Sequence, residues 1–177
     1  METFEAIKKR LSYRGQYKNI PVSREDLKKI MECGLDAPSG CNKQTTSLIC
    51  VDDPEMLDKI YGMFSKNVNR APAAIFVLTE KIIAYADRCF AIQDYAAAVE
   101  NMLVAITDMG YESCWYEGCL SGSDRVGDKI ADFLGVPKSI EVVCMLNVGV
   151  PADTPKRAVS KMAFENRAWF NGYKKTE

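Results

Sequence analysis

The chain has 177 residues, 47% of them apolar and 27% charged, with a net charge of −1. That composition is expected of one soluble folded domain, and a chain this long buries about 70% of its unfolded surface, so it needs no disulfide or metal to hold together. Histidine is absent, which excludes Ser-His-Asp and Cys-His nucleophile systems and His-containing zinc sites.

A first helix is expected over 2–11, with Phe4, Ile7 and Leu11 on one face. A second opens at Ser23, where Asp26 three residues on makes a capping-box pattern, and carries Leu27, Ile30 and Met31 to an end near Gly34. "SLICV" (47–51) reads as a buried strand. Asp53-Pro54 then starts a helix, with a cap and a proline at the first position, running to about Phe64. "AAIFVL" (73–78) is a second strand. A long helix over 84–109 follows, with Ala91, Ala98, Met102, Ala105 and Met109 forming a narrow face that suits a central core helix; Gly110 stops it. "SCWY" (113–116) is extended, 123–134 helical, and "VVCMLNVGV" (142–150) a last strand. The tail, 151–177, carries Trp169, Phe170 and Tyr173 without a clear period, and either covers its own core or lies on a partner.

Four apolar strands separated by helices imply one sheet with helices on it, α/β or α+β. No G-x-G-x-x-G follows a strand and no G-x-x-x-x-G-K-[ST] occurs, so neither a simple dinucleotide fold nor a P-loop is present. The apolar runs are far shorter than a membrane span, and "METFEAIKKR" lacks a secretory core. A cytoplasmic protein without membrane attachment is expected. The seven cysteines are scattered and odd in number, which speaks against a disulfide framework or a metal cluster; "CWYEGC" (114–119) reads most simply as two thiols in a reducing compartment.

The sequence pI of about 5.7 and the lack of a basic stripe argue against nucleic acid. Charge is nevertheless uneven. Residues 1–29 hold eight basic against four acidic side chains, residues 156–177 six against two, and the middle nine against eighteen. Two basic ends on an acidic body make one small anion site if they converge in space, and otherwise are solvated lysines and arginines.

Four stretches could carry chemistry, the last of them "PKR" (155–157), which offers two cations late in the chain. "KRLSYR" (9–14) sets Arg10, Ser12 and Arg14 at alternate positions, hence on one side of an extended chain. They form either a phosphate clamp or exposed charges at a helix end. "APSGCNKQ" (37–44) combines Pro38, Ser39 and Gly40 with Asn42 and Gln44, whose amides both donate and accept. The loop either reads the edge of a planar heterocycle, with Gly40 admitting it to the backbone, or is an Asx turn beside a surface glutamine. In "CWYEGC", Tyr116, Glu117 and Gly118 end an extended segment where backbone N–H groups could meet a ligand.

Taken together, these stretches resemble the nitroreductase family of FMN-dependent oxidoreductases along essentially the whole chain. The family's Arg-x-Ser-x-Arg/Lys start is matched by Arg10, Ser12 and Arg14, and its Ala-Pro-Ser-x-x-Asn-x-Gln loop by Ala37, Pro38, Ser39, Asn42 and Gln44. Ala71-Pro72 matches its strand entry. Asp94, Ala98 and Asn101-Met102-Leu103 match its long helix, "GYESCWYEG" (110–118) its Ser-Cys-Trp segment, and Gly149, Pro151, Lys156 and Arg157 its late basic turn.

The resemblance implies an α+β fold with a central, mostly antiparallel sheet flanked by helices, in an intertwined homodimer. One FMN-binding domain would span 1–177, with 151–177 packing on the partner subunit. It also implies bound FMN and NADH or NADPH as reductant. The Arg10, Ser12 and Arg14 set, with Lys156 and Arg157, would hold the phosphate; the 38–44 loop would border the flavin, and Glu117-Gly118 would lie against its reactive nitrogen. Redox chemistry would belong to the flavin, with Arg14 tuning it or binding phosphate. "SKNVNR" (65–70) is a further source of amides for the pyrimidine edge. Thr45-Thr46 stands where relatives often have Pro-Trp, which removes an aromatic, and Cys41 is unusual in the loop. The activity implied is ping-pong reduction of nitroaromatic, quinone or similar small-molecule acceptors; the alternative on the same fold is a non-catalytic FMN carrier or redox sensor.

Overall fold

The computed structural model describes residues 2–65, 68–156 and 160–173. It contains helices α1 (Thr3–Lys9), α2 (Arg24–Leu35), α3 (Pro54–Tyr61), α4 (Ala91–Asp108) and α5 (Val126–Leu134). The strands are β1 (Thr46–Val51), β2 (Ala73–Glu80), β3 (Ile83–Tyr85), β4 (Arg88–Cys89), β5 (Trp115–Tyr116) and β6 (Ile140–Val148). Short 3₁₀ turns occupy Gly40–Asn42 and Phe164–Asn166.

Local chemistry explains several boundaries. Ser23 caps α2 by accepting the Asp26 N–H at 3.1 Å, and Asp53 caps α3 by accepting the Met56 N–H at 2.8 Å. Pro54 occupies the first position of α3, where its missing N–H costs nothing. α3 ends at Tyr61, three residues before the expected Phe64.

The main sheet runs β1-β2-β6-β5, and every neighbouring pair is antiparallel. β2 lies inside it, with seven of its eight residues buried. Its uninterrupted apolar sequence follows from coverage on both faces. Ala73, Ile75 and Val77 pack with Leu27 and Ile30 of α2 and Val99, Met102 and Ile106 of α4. Ala74, Phe76 and Leu78 pack with Leu57 and Ile60 of α3 and Ile130 of α5.

Two expectations change. Residues 83–89 are not the start of the long helix but a hairpin, β3–β4, whose turn residues Ala86 and Asp87 both have positive φ (47° and 58°). Two successive left-handed residues make a turn that matches strand twist, so α4 begins at Ala91 instead of 84. The face of α1 carrying Phe4 and Ile7 is not covered by this chain: they are 80% and 49% exposed, and Ala6 is the residue α1 buries.

The chain's two ends run together. Tyr17 bridges antiparallel to Pro151, the Lys18 N–H donates to the Val150 carbonyl at 2.9 Å, and the Ala152 N–H donates to the Gln16 carbonyl at 2.8 Å. Gly149, just before, exchanges backbone bonds with Glu112. The basic N-terminal segment therefore meets, along 16–18, the run at 150–152 that leads into the basic C-terminal segment.

Candidate functional site

The segment after α1 lies against the strand at 113–116: the Tyr13 N–H donates to the Ser113 carbonyl at 2.8 Å. Tyr13 is buried, while Ser12 and Arg14 on either side of it are exposed, as alternation along an extended chain requires. Both reach Cys114. Burial pushes that thiol's pKa up, opposed by the Arg14 guanidinium and by side-chain hydrogen bonds with Tyr116 and Ser12. Arg10, at the end of α1, turns instead to α4 and pairs with Glu100 at 3.3 Å.

Two asparagines hold this group in register. Asn69 Nδ2 donates to the carbonyls of Arg14 (2.8 Å) and Gly15 (3.1 Å). The Tyr116 hydroxyl donates to Asn69 Oδ1 at 3.0 Å and accepts the Asn69 N–H at 3.3 Å. Asn147, fully buried in β6, donates to the Asn69 carbonyl at 3.0 Å and accepts the Cys114 N–H at 2.8 Å. Asn147 was not among the candidates. Its signal was an amide inside an otherwise apolar strand, which must find partners when buried.

The 38–44 loop is built on α4. Gly40 donates its N–H to Asp94 Oδ1 at 2.8 Å, and the Thr45 hydroxyl donates to Asp94 Oδ2 at 2.7 Å. Ser39 Oγ accepts the Gln44 N–H at 2.9 Å. Cys41, Asn42 and Gln44 all adopt left-handed backbone (φ 51°, 52° and 50°), which costs a non-glycine residue about 1–2 kcal/mol. Asp94 is 5% exposed, so a buried carboxylate offsets that strain. Thr45, a departure from the family pattern, is thus an anchor. Gly40 has a reason of its own: a Cβ there would stand 2.6 Å from Phe90 Cδ2. A cavity of about 180 Å³ opens beside the loop, lined by Pro38, Ser39, Gln44, Thr46, Asp94 and Ala98. Asn42 and Gln44 are exposed.

Glu117 is held from the same helix, with Oε1 accepting the Tyr95 hydroxyl at 3.0 Å. Burial, then this bond, pushes the Tyr95 pKa up to about 12. Gly118 is exposed, and a Cβ there would meet nothing within 4 Å, so its backbone is open to close approach. Lys156 is exposed, four residues past Ala152, and Arg157 lies outside the described residues. The candidates thus fall into two groups. Ser12, Arg14 and Tyr116 gather around Cys114 and Asn69, and the loop of Pro38, Ser39, Gly40, Asn42 and Gln44 stands apart on Asp94. α4 connects them through Glu100, Asp94 and Tyr95.

A family model described as the nitroreductase family matches residues 7–82 and 61–150. The chain belongs to the nitroreductase family. A protein of Archaeoglobus fulgidus, provisionally named NADH dehydrogenase/NAD(P)H nitroreductase, is 32% identical over 139 residues, 77% of this chain and 79% of that protein. An FMN-dependent nitroreductase from Clostridium difficile R20291 superposes with a TM-score of 0.79 at 27% identity, covering 96% of this chain and 99% of its own. A nitroreductase with bound FMN from Bacteroides fragilis gives 0.68 at 27% identity, covering 92% and 99%. The antiparallel sheet and flanking helices of this nitroreductase-family chain are the α+β architecture expected from the resemblance. Among its described residues, no helix is long and apolar enough to cross a membrane.

Proposed function

We propose that this chain is an FMN-dependent oxidoreductase of the cytoplasm that uses NADH or NADPH to reduce nitroaromatic, quinone or similar small-molecule acceptors by a ping-pong cycle, as a homodimer. The observation that carries the reading is the Ser12–Arg14–Asn69–Tyr116 group, set in a nitroreductase-family chain where the basic N-terminal segment meets the run at 150–152.

The donor set fits FMN. Ser12 and Arg14 are exposed on one side of the strand, next to the run leading to Lys156, and supply the hydroxyl and cations a phosphate requires. Gly118 leaves its backbone uncovered for a flat ring. Asn42 and Gln44 extend exposed amides from a rigid loop, able to pair with alternating carbonyl and N–H groups. FMN held there would supply the redox chemistry that links the nicotinamide to the acceptor. The protein's part is to bind and orient. Asp94 fixes the loop, Tyr95 fixes Glu117, and the Arg14 cation favours negative charge brought near it.

The two groups of candidate residues are completed across a two-fold axis, with 38–44 of one protomer facing the Arg14 group of the other. Uncovered apolar surface supports this. Phe4 and Ile7 of α1 are exposed, as are Phe170 (79%) and Tyr173 (75%) in the tail, which stacks on itself through Phe164–Phe170 and Trp169–Tyr173. Such surface marks an interaction face, and the segment from 151 onward would lie on the partner, within one domain spanning 1–177.

The test is an anaerobic titration of the purified protein, followed by its visible spectrum. A yellow protein that bleaches with NADH or NADPH and recolours with a quinone or nitroaromatic is expected; Arg14→Ala should release flavin more readily. A yellow protein that never bleaches would make it a carrier or sensor. A colourless protein that takes up no FMN would overturn the reading.

A further inference from the structure

β5 and β6 pair at Tyr116↔Met145 and Trp115↔Leu146, and the same register returns at Glu112↔Gly149. Cys114 therefore stands opposite Asn147, where the alternation of an antiparallel ladder calls for a backbone rung. A side chain makes it instead: Asn147 Oδ1 accepts the Cys114 N–H at 2.8 Å. The neighbouring Ser113 carbonyl is taken by the Tyr13 N–H at 2.8 Å, so the segment carrying Ser12 and Arg14 is strung along this break in the ladder.

The other half of the Asn147 amide reaches the same segment by a second route. Nδ2 donates to the Asn69 carbonyl at 3.0 Å, and Asn69 Nδ2 donates onward to the Arg14 and Gly15 carbonyls at 2.8 and 3.1 Å. Both N–H groups of Asn69 are thereby used within the chain, and its Oδ1 accepts the Tyr116 hydroxyl at 3.0 Å. On the first route, the Cys114 thiol meets the Ser12 hydroxyl and lies beside the Arg14 guanidinium. Asn147 is 0% exposed, and its cross-strand neighbour Ala74 belongs to the apolar cluster under α3 and α5. An apolar side chain would serve packing on that face at less cost, since a buried amide must have its hydrogen bonds made. What the amide adds is one group that joins Cys114 to Asn69, and through them holds Ser12 and Arg14.

We propose that Asn147 is a positioning residue for the phosphate end of the flavin site, holding the Ser12–Arg14 segment through Asn69 and Cys114 in the form that receives the phosphate. The inference rests on the FMN reading, in which Ser12 and Arg14 take that group. Asn147 touches no ligand, and Asn69 has no N–H group left to give one. Without the relay the segment stays attached through the Tyr13–Ser113 bond and the pairing of 16–18 with 150–152. Alignment is lost before the fold is.

The experiment titrates the full-length protein, freed of flavin, with FMN and with riboflavin, which has the same ring and no phosphate. A general loosening weakens both ligands alike, so the ratio of the two affinities isolates the phosphate end. Arg14→Ala calibrates it: FMN should weaken at least about tenfold and riboflavin less than about twofold. Asn147→Ala should lower the preference for FMN over riboflavin about two- to tenfold, the range of one hydrogen bond. Asn69→Ala, at a less buried position, should do the same, and it carries the test if Asn147→Ala does not fold. In the flavin-free protein, the Gly15 and Gln16 amides should exchange at least about fivefold faster in both variants. If Arg14→Ala lowers the preference and neither asparagine variant does, the relay is overturned while the phosphate assignment stands. If Arg14→Ala leaves the preference unchanged, the phosphate assignment fails and takes this inference with it. Unchanged exchange at Gly15 and Gln16 would overturn the relay whatever the flavin does.

Discussion

Asp94→Ala tests whether one buried carboxylate holds the 38–45 loop in its left-handed form. Two hydrogen bonds to the charged group are lost, from the Gly40 N–H (2.8 Å) and the Thr45 hydroxyl (2.7 Å). At about 1.5–3 kcal/mol each, they are together worth roughly 3–6 kcal/mol. Part is recovered as Cys41, Asn42 and Gln44 relax from positive φ, so the net loss should be about 2–4 kcal/mol, or roughly 5–15 °C in Tm for a chain of this size. Asp94→Asn should cost less, because its amide oxygen can still accept the Gly40 N–H while its nitrogen donates to a rotated Thr45 hydroxyl. Urea unfolding gives the stability, amide exchange at Gly40 reports the loop directly, and FMN fluorescence gives cofactor affinity, expected to fall at least tenfold in the alanine variant. If Asp94→Ala unfolds within about 0.5 kcal/mol of the parent and Gly40 exchanges at an unchanged rate, the carboxylate does not hold the loop.

Burial pushes the Glu112 carboxyl from its ordinary 4.5 up to about 7. The folded state therefore binds that proton more tightly than the unfolded one, and the stability this contributes is present below pH 4.5 and lost as pH rises to about 7. Glu112→Gln should match the parent at low pH and be more stable above pH 7, by about 1–2 kcal/mol after allowing for its partial exposure; a difference that stays flat in urea melts across that range would contradict this. In the β3–β4 turn, replacing Ala86-Asp87 with Asn-Gly should stabilise the protein by about 0.5–1 kcal/mol, and a loss would mean the turn is not left-handed at both positions. Gly40→Ala drives a Cβ to within 2.6 Å of Phe90 and should cost about 1–3 kcal/mol. Combining it with Phe90→Ala should recover part of that cost, and purely additive effects would place the strain elsewhere.

Local chemistry made much of the architecture legible. Ser23 and Asp53 announce α2 and α3 because an N-cap acts within three residues. The apolar run of β2 is likewise visible because both faces of the sheet are covered, leaving no polar alternation to show. The hairpin at 83–89 escaped because Ala86-Asp87 lacks the Asn-Gly signature of its turn, and it precedes a real helix. Spacing also brought out the alternate Arg10, Ser12 and Arg14 and the polar 38–44 loop as candidates. What joins them is not local. Asp94 meets Gly40 across 54 residues of sequence, and Asn147 meets Asn69 across 78. The sequence by itself determined most of the elements and the donor types. Only the tertiary structure decided which donors meet, because a hydrogen bond between distant residues depends on how the sheet and α4 pack, and no short window of sequence contains that packing.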